Sequence, residues 1–372
     1  MKFSIIINIT LSMYLLIALT GCDTSTVDVE KVDFHYSQMP FHLTKWYNNH
    51  TAAISITNDD GAPDSDAERR VQEEILRRNL VMDYEIVTYN MRDQVRTHII
   101  EYLIPNGFGV FGHGHKHIDH DKLTYEEAYE SFKTNYDIMV DMGIKPISYA
   151  YPEGAGHKKS TQQALADAGF LNGRLHRTWD HTSANIVSSN RKIPNNSFYL
   201  PSLVMQDFDF RQNNAAINNC AELIPFLDDA IKNTAWLIKT YHAIGREDGW
   251  GFFCWNEFVK ALDEIESRDF WSVSMDNATR YIMQRETAKI EIKEAANSVR
   301  YDFVIRIQHD LDMEIFSHPM TVAIRFPKNV HGKIFGVYKE NGMLKKEITI
   351  VSEYNYFNLN PFETYTFVEL EL

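Results

Sequence analysis

"TAAISITNDDGAPDSDAERRVQEEILRRNLVMDYEIVTYN", residues 51 to 90, holds one complete unit of a fold. AAISIT (52–57) is a short β-rich run that ends on Asn58-Asp59-Asp60-Gly61. The apolar spacing of DAERRVQEEILRRNL (66–80) predicts a helix, and EIVTYN (85–90) reads as a second strand. Strands alternating with helices imply a parallel sheet, open or closed into a barrel.

The same grammar continues downstream. RDQVRTHIIEYLIPNG (92–107) reads as a helix stopped by Pro105 and Gly107, and VFGH (110–113) as a third strand. YEEAYESFKTNYDIMVDMG (125–143) is a long amphipathic helix closing at Gly143, and PISYAYP (146–152) is a fourth strand. A helix at 160–169 precedes a stretch without period, 172–196, which reads as a long loop of the kind that tends to carry function. Helix 220–233, strand AWLIKTYH (235–242) and helix 255–267 complete the body. Past about Arg285 only alternating strands follow, with Asn341-Gly342 as a hairpin turn, and these predict a separate small β-sandwich.

At the other end, Lys2 precedes an apolar run from Phe3 to Leu19 that closes on Leu19-Thr20-Gly21-Cys22. This resembles the lipobox of bacterial lipoproteins, which implies a lipid on Cys22 and a protein anchored to the membrane of the cell envelope. The expected organisation is a signal peptide over 1–21, a polar tether over 22–45, a barrel over 46–285 and a C-terminal β-sandwich over 286–372. A net charge of −14 leaves no basic face for nucleic acid. Cys220 and Cys254 lie in no metal-ligand spacing, and either one disulfide or two buried thiols would satisfy them. A monomer is the expected state.

Three features sit just past the C-terminal ends of predicted strands: Asp59 and Asp60 after AAISIT, His113 after VFG, and His242 after AWLIKTY. In a parallel barrel those ends share one rim, so residues far apart in sequence meet there. His113 and His117 are four apart, and a helical turn would put both imidazoles on one face, a spacing suited to a shared metal. A carboxylate from another strand end would complete the ligand set. Zn2+ is the default for imidazole and carboxylate donors, and Co2+ or Ni2+ suits the same set. His115 and His120 do not share the spacing, and are assigned to the surface or to a layer behind the ligands. Each feature alone is common in structural roles; the joint occurrence at successive strand ends is not.

From about Thr51 to Arg285 the chain resembles the polysaccharide deacetylase family, which shares the NodB homology domain. Thr57-Asn58-Asp59-Asp60-Gly61 is similar to its Thr-Phe-Asp-Asp-Gly motif, with Asn58 in place of Phe. His113-Gly114-His115-Lys116-His117 is similar to His-(Ser/Thr)-x-x-His, with Gly114 in the hydroxyl position. Tyr149-Ala150-Tyr151-Pro152-Glu153-Gly154 resembles the third motif, and WLIKTYHAIG (236–245) resembles the final strand ending in His. The resemblance implies a distorted (β/α) barrel of the NodB type, and a hydrolase that removes N-acetyl or O-acetyl groups from a polysaccharide by attack of metal-bound water. It implies that Asp60, His113 and His117 hold the metal, that Asp59 is the general base and that His242 is the general acid. The backbone N–H of Glu153 would bind the oxyanion, with Tyr151, Trp179 and Arg174 as further substrate-site candidates.

The chain also departs from the family pattern. Ala150 stands where many relatives carry an Arg that orients the base, and Arg174 or Arg177 is the candidate replacement. Glu153 stands in place of an aromatic and makes the pocket more acidic. Two other readings remain open from sequence: a glycan-binding protein on an impaired scaffold, and an amidohydrolase of a small cyclic amide.

Overall fold

The computed structural model describes residues 39–59, 63–176, 186–187, 196–207, 216–295 and 302–370. The predicted leader with Cys22, most of the predicted tether, and Asp60, Arg177 and Trp179 lie outside these residues. After a short strand β1 (Phe41–Leu43) come β2 (Ala52–Asn58), α1 (Asp66–Arg77), β3 (Met82–Ile86), α2 (Asp93–His98), β4 (Gly109–Gly112), α3 (Tyr125–Asp141) and α4 (Lys159–Asp167). Then follow β5 (Ile186–Val187), β6 (Leu203–Val204), α5 (Cys220–Lys232), β7 (Trp236–Tyr241), α6 (Trp255–Glu266), β8 (Phe270–Ser272) and α7 (Met275–Thr287).

β2 is the central stave. It pairs in parallel with β3 on one edge, Ile56 against Met82, and with β7 on the other, Ala53 against Trp236. β3 pairs in parallel with β4. Beyond β4 the ladder shrinks to single parallel bridges, from Gly112 to Tyr149, Ala150 to Arg174 and Arg174 to Leu200. β6 then pairs in parallel with β7, which returns the ring to β2. The sheet is therefore closed into a (β/α) barrel, distorted because several staves make little more than one bridge each. β8 shares the β3 edge of β2, with Ala52 opposite Phe270.

Alternation along the strands fixes what faces each way. Ile54 and Ile56 of β2, Met82, Tyr84 and Ile86 of β3, and Leu237 and Tyr241 of β7 join one core with Val71, Ile75 and Leu103 from the surrounding helical layer. Burying each such side chain stabilises the fold by roughly 1.5–3 kcal/mol. The intervening residues point into the barrel, and several are polar: Ser55 donates to the Val273 carbonyl at 2.8 Å, and Thr57 to Thr240 Oγ1 at 3.1 Å.

This polar interior accounts for two differences from the sequence reading. The strand expected at 85–90 is β3, Met82–Ile86, because Asp83 and Glu85 are interior residues that make the strand look like loop. The strand expected at 146–152 survives only as bridges at Tyr149 and Ala150, flanked by Pro146 and Pro152, which have no N–H to extend a ladder.

The C-terminal residues form two antiparallel sheets. One contains β9 (Lys289–Glu294), β10 (Phe303–Gln308), β12 (Ile334–Lys339), β13 (Leu344–Thr349) and β15 (Thr364–Leu370); the other contains β11 (Met320–Arg325) and β14 (Tyr354–Leu359). Phe357 of β14 meets Phe367 of β15 edge-on at 5.0 Å, and Phe367 stacks on Phe303 at 4.5 Å, so aromatic rings fill the space between the sheets. The Asn341-Gly342 turn joins β12 to β13, with Gly342 at φ 77°.

The end of the predicted tether is not a tether. β1 pairs antiparallel with β11, Phe41 opposite Ile324, and completes the smaller sheet. Alternating Phe41 and Leu43 give this segment the pattern of an edge strand, which short length conceals in sequence. Just beyond it, Trp46 is buried and its Nε1–H donates to the Thr234 carbonyl at 3.0 Å, at the start of β7. Among the described residues no helix is long and apolar enough to cross a membrane.

Candidate metal and catalytic site

The ends of β2, β4 and β7 deliver Asp59, His113 and His242 to one rim. Each is an extension of its ladder: the Asp59 N–H donates to the Tyr241 carbonyl at 2.8 Å, and the His113 N–H to that of Ile86 at 2.9 Å. Asp59 Oδ1 lies 2.6 Å from His113 Nε2, and Asp59 Oδ2 lies 3.6 Å from His242 Nε2. All three side chains are buried.

His113 and His117 come together, though not through a helical turn. The chain after His113 reverses at Gly114, φ 93°, where a Cβ would sit 2.7 Å from the Lys116 carbonyl oxygen. Only glycine fits that position, which explains the missing hydroxyl residue. Asn135 of α3 pins the reversal by donating to the Gly114 carbonyl at 2.8 Å. The two imidazole centroids are 5.0 Å apart. His115 instead turns toward Thr88 Oγ1 at 3.2 Å, and His120 is buried, stacked on Phe132 at 4.4 Å and bonded to Ser131 Oγ at 2.9 Å. Burial lowers the His120 pKa to about 4, so it is a neutral structural group.

Of the two candidates for the missing Arg, Arg177 lies outside the described residues and Arg174 is fully buried. Its Nη2 donates to Asp59 Oδ2 at 2.6 Å, and its Nε donates to Glu85 Oε1 at 2.8 Å. Nη2 also donates to Glu85 Oε2, which makes the Glu85 contact a two-pronged one. Burial by itself raises the Asp59 pKa, but the charges of His113 and Arg174 outweigh it and hold Asp59 well below the usual carboxylate range. Burial pushes Glu85 up to about 7, against the pull of Arg174. Asp59 is thus the ionised carboxylate of the pair.

Asn58, in place of an aromatic, has its own partner. Its Nδ2 donates to Glu68 Oε2 of α1 at 2.7 Å, and Tyr84 donates to the same oxygen at 3.2 Å. Burial of Glu68 raises its pKa to about 7 despite those two bonds.

His242 rests edge-on against Trp250 at 4.4 Å. Gly251, φ 67°, backs onto its ring, and a Cβ there would lie 2.9 Å from His242 Cβ. His176 stands 5.2 Å from His242, centroid to centroid, with Nδ1 4.0 Å from Asp59 Oδ2. The rim opens into a cavity of about 460 Å³ lined by Asp59, His117, Glu153, His176, His242 and Trp250, among others. Tyr151 also lines it, but its hydroxyl donates to the Phe198 carbonyl at 3.1 Å and so has a structural engagement. Glu153 stands beside His117, with Oε1 3.2 Å from Nδ1.

Among the described residues two donor groups are close enough to share a divalent cation; neither contains His117, and Asp60 of the predicted ligand set lies outside the described residues. Asp59, Glu85 and His113 present ligand atoms within 4.8 Å of one another, as do Asp59, His176 and His242. Glu85 is engaged by Arg174, whereas Asp59 Oδ1 is buried, accepts no aligned hydrogen bond and faces His113 Nε2. A buried carboxylate oxygen that lacks an aligned donor and faces an imidazole favours a cation at that point. Sequence reasoning missed Glu85, His176 and Trp250. Of these, His176 carried a signal, since it lies two residues after Arg174 and shares its face in an extended stave.

Solved structures similar to this chain are polysaccharide deacetylases. One assigned as such from Mycobacterium smegmatis has 15% identity and a TM-score of 0.48, covering 66% of this chain and 94% of its own. The peptidoglycan deacetylase PdaC from Bacillus subtilis has 14% identity and a TM-score of 0.40 over 64% and 94%. A family 4 acetyl xylan esterase from Clostridium thermocellum, in complex with cobalt, has 13% identity and a TM-score of 0.41 over 61% and 89%. No family model matches the sequence, and no curated protein matches it either. Likeness at this level speaks to neither substrate nor residue roles, which rest on the geometry above.

Two substitutions test the electrostatics. Arg174→Ala leaves two buried carboxylates without their cation and is expected to cost about 3–5 kcal/mol in urea unfolding. For Glu68, a folded pKa of about 7 against 4.5 means that the stability present below pH 4.5 is lost as pH rises through 7. Wild type should lose on the order of 3 kcal/mol between pH 4 and 8 from this group, a loss absent in Glu68→Gln.

Proposed function

We propose that the protein is a metal-dependent polysaccharide deacetylase of the bacterial envelope that hydrolyses N-acetyl or O-acetyl groups on a glycan. The observation that carries this reading is the position of Asp59. Ionised and held by Arg174, it lies 2.6 Å from His113 and 3.6 Å from His242 at the mouth of one cavity.

His113 and His117, with Asp60, which follows Asp59 in the sequence, would hold one divalent cation, Zn2+ being the default. Bound there, such an ion polarises an acyl carbonyl and makes water acidic enough to attack near neutral pH. Asp59 takes a proton from the attacking water, and Arg174 keeps the carboxylate in place to receive it. His242, protonated, gives its proton to the departing nitrogen or oxygen as the bond to the acetyl carbon breaks. The backbone N–H of Glu153 is the candidate donor to the oxyanion. Presence of Arg174 in the role of the absent family Arg favours catalysis over the impaired binding-protein reading.

Acetate release from chitin oligomers, peptidoglycan and acetylated xylan is the direct test. Asp59→Asn and His242→Ala should each lower turnover about 100-fold or more with metal content near that of wild type. Removal of metal by a chelator should abolish release, and Zn2+ or Co2+ should restore it. Acetate release that survives full metal removal would sink the proposal.

The Leu19-Thr20-Gly21-Cys22 sequence is the support for placing this enzyme on the envelope with a lipid anchor. Cys22→Ser is expected to move the protein from the membrane fraction to the soluble fraction after lysis.

A further inference from the structure

The turn Pro152–Gly154 carries Glu153 at φ 56° and ψ 16°, the left-handed region that glycine tolerates and glutamate rarely adopts. Gly154 follows at φ 73°, so a glycine in place of Glu153 would suit the backbone better. The side chain does not repay this strain through the core, since it is 57% exposed. Its ion-pair contact is with His117, Oε1 to Nδ1 at 3.2 Å, and His117 is itself 33% exposed. A half-solvated pair of this kind adds little to folding stability. A glutamate kept in a strained position for little gain in stability calls for another reason.

That reason lies on the other metal histidine. His113 Nδ1 is 3.0 Å from the Ala150 carbonyl oxygen, which only accepts, so Nδ1 carries a ring proton and Nε2 is the nitrogen left to face a cation. A carboxylate at His117 Nδ1 imposes the same tautomer. Ala150 and Glu153 lie three residues apart on one segment, between the bridge to Arg174 and the turn. One short segment therefore reaches both imidazoles on the same ring nitrogen.

We propose that Glu153 is a positioning residue for the metal centre: its carboxylate fixes the tautomer and orientation of His117, as the Ala150 carbonyl does for His113. It acts through His117 and does not touch the cation. A carboxylate behind a ligating imidazole also raises the basicity of the ring, which strengthens its bond to the metal. The inference rests on the ligand assignment under the proposed function and adds a role for the Glu153 side chain to the one given to its backbone N–H.

Zn2+ affinity by chelator competition, on the full chain, tests it. Glu153→Gly should bind Zn2+ about 10- to 100-fold more weakly than wild type. Its melting temperature should be unchanged or higher, because glycine relieves the left-handed strain. Glu153→Gln, which keeps an acceptor oxygen without the charge, should lose less, and Glu153→Asp should recover part of the affinity. With Co2+ as the probe, the visible absorption bands of Glu153→Gln should keep the wild-type envelope, since the ligands are the same. Wild-type affinity in Glu153→Gly overturns the inference and leaves the deacetylase reading standing. Co2+ bands that change coordination in Glu153→Gln also overturn it, by making Glu153 a ligand. A wild-type chain that takes up no metal overturns both.

Discussion

A guanidinium with no exposure to solvent sits at the centre of this molecule, and the site is arranged around it. Arg174 is tolerated in the barrel because Glu85 from β3 and Asp59 from the end of β2 meet it on two sides. Desolvating such a group without partners would cost more than a small domain's whole stability. The pairing has a chemical consequence as well as a structural one. It divides two neighbouring carboxylates into an ionised Asp59 and a Glu85 whose pKa is pushed up to about 7.

The barrel closes through staves that make almost no ladder. Tyr149, Ala150, Arg174 and Leu200 are joined by one bridge at a time, so backbone pairing there is weak and side chains carry the closure. Arg174 is both a stave residue and the cross-link to β2 and β3. The Ala150–Glu153 segment, next in the ring, faces His113 and His117. Structural closure and site geometry are therefore served by the same residues, and substitution in these staves should disturb both together.

The β-sandwich is tied to the barrel at its first and last elements. β1 precedes the barrel in sequence yet belongs to the smaller C-terminal sheet. Gln284 of α7 donates to the His318 carbonyl at 2.9 Å, and Arg280 to that of Ile315 at 3.1 Å. These bonds fix the sandwich as a packed partner of the barrel within one compact unit.

Much of this was legible in the chain itself. The alternation of strands and helices, the antiparallel C-terminal strands and the strand-end placing of Asp59, His113 and His242 follow from local pattern, because periodicity and turn residues act over a few positions. Arg174 was legible as a candidate because an expected Arg was missing elsewhere. Glu85 was not, because an acidic residue in a buried strand makes sense only once a guanidinium more than eighty residues away is seen against it. His176 and Trp250 were hidden likewise in segments without period. The approach of His117 to His113 was read correctly in outcome and wrongly in cause: a glycine reversal brings them together, not a helix. Sequence alone determined which elements form and which of their ends carry chemistry, since those depend on neighbours along the chain. Tertiary structure alone decided which charges share a buried space, and hence which carboxylate is ionised, since Coulomb energy depends on distance through space.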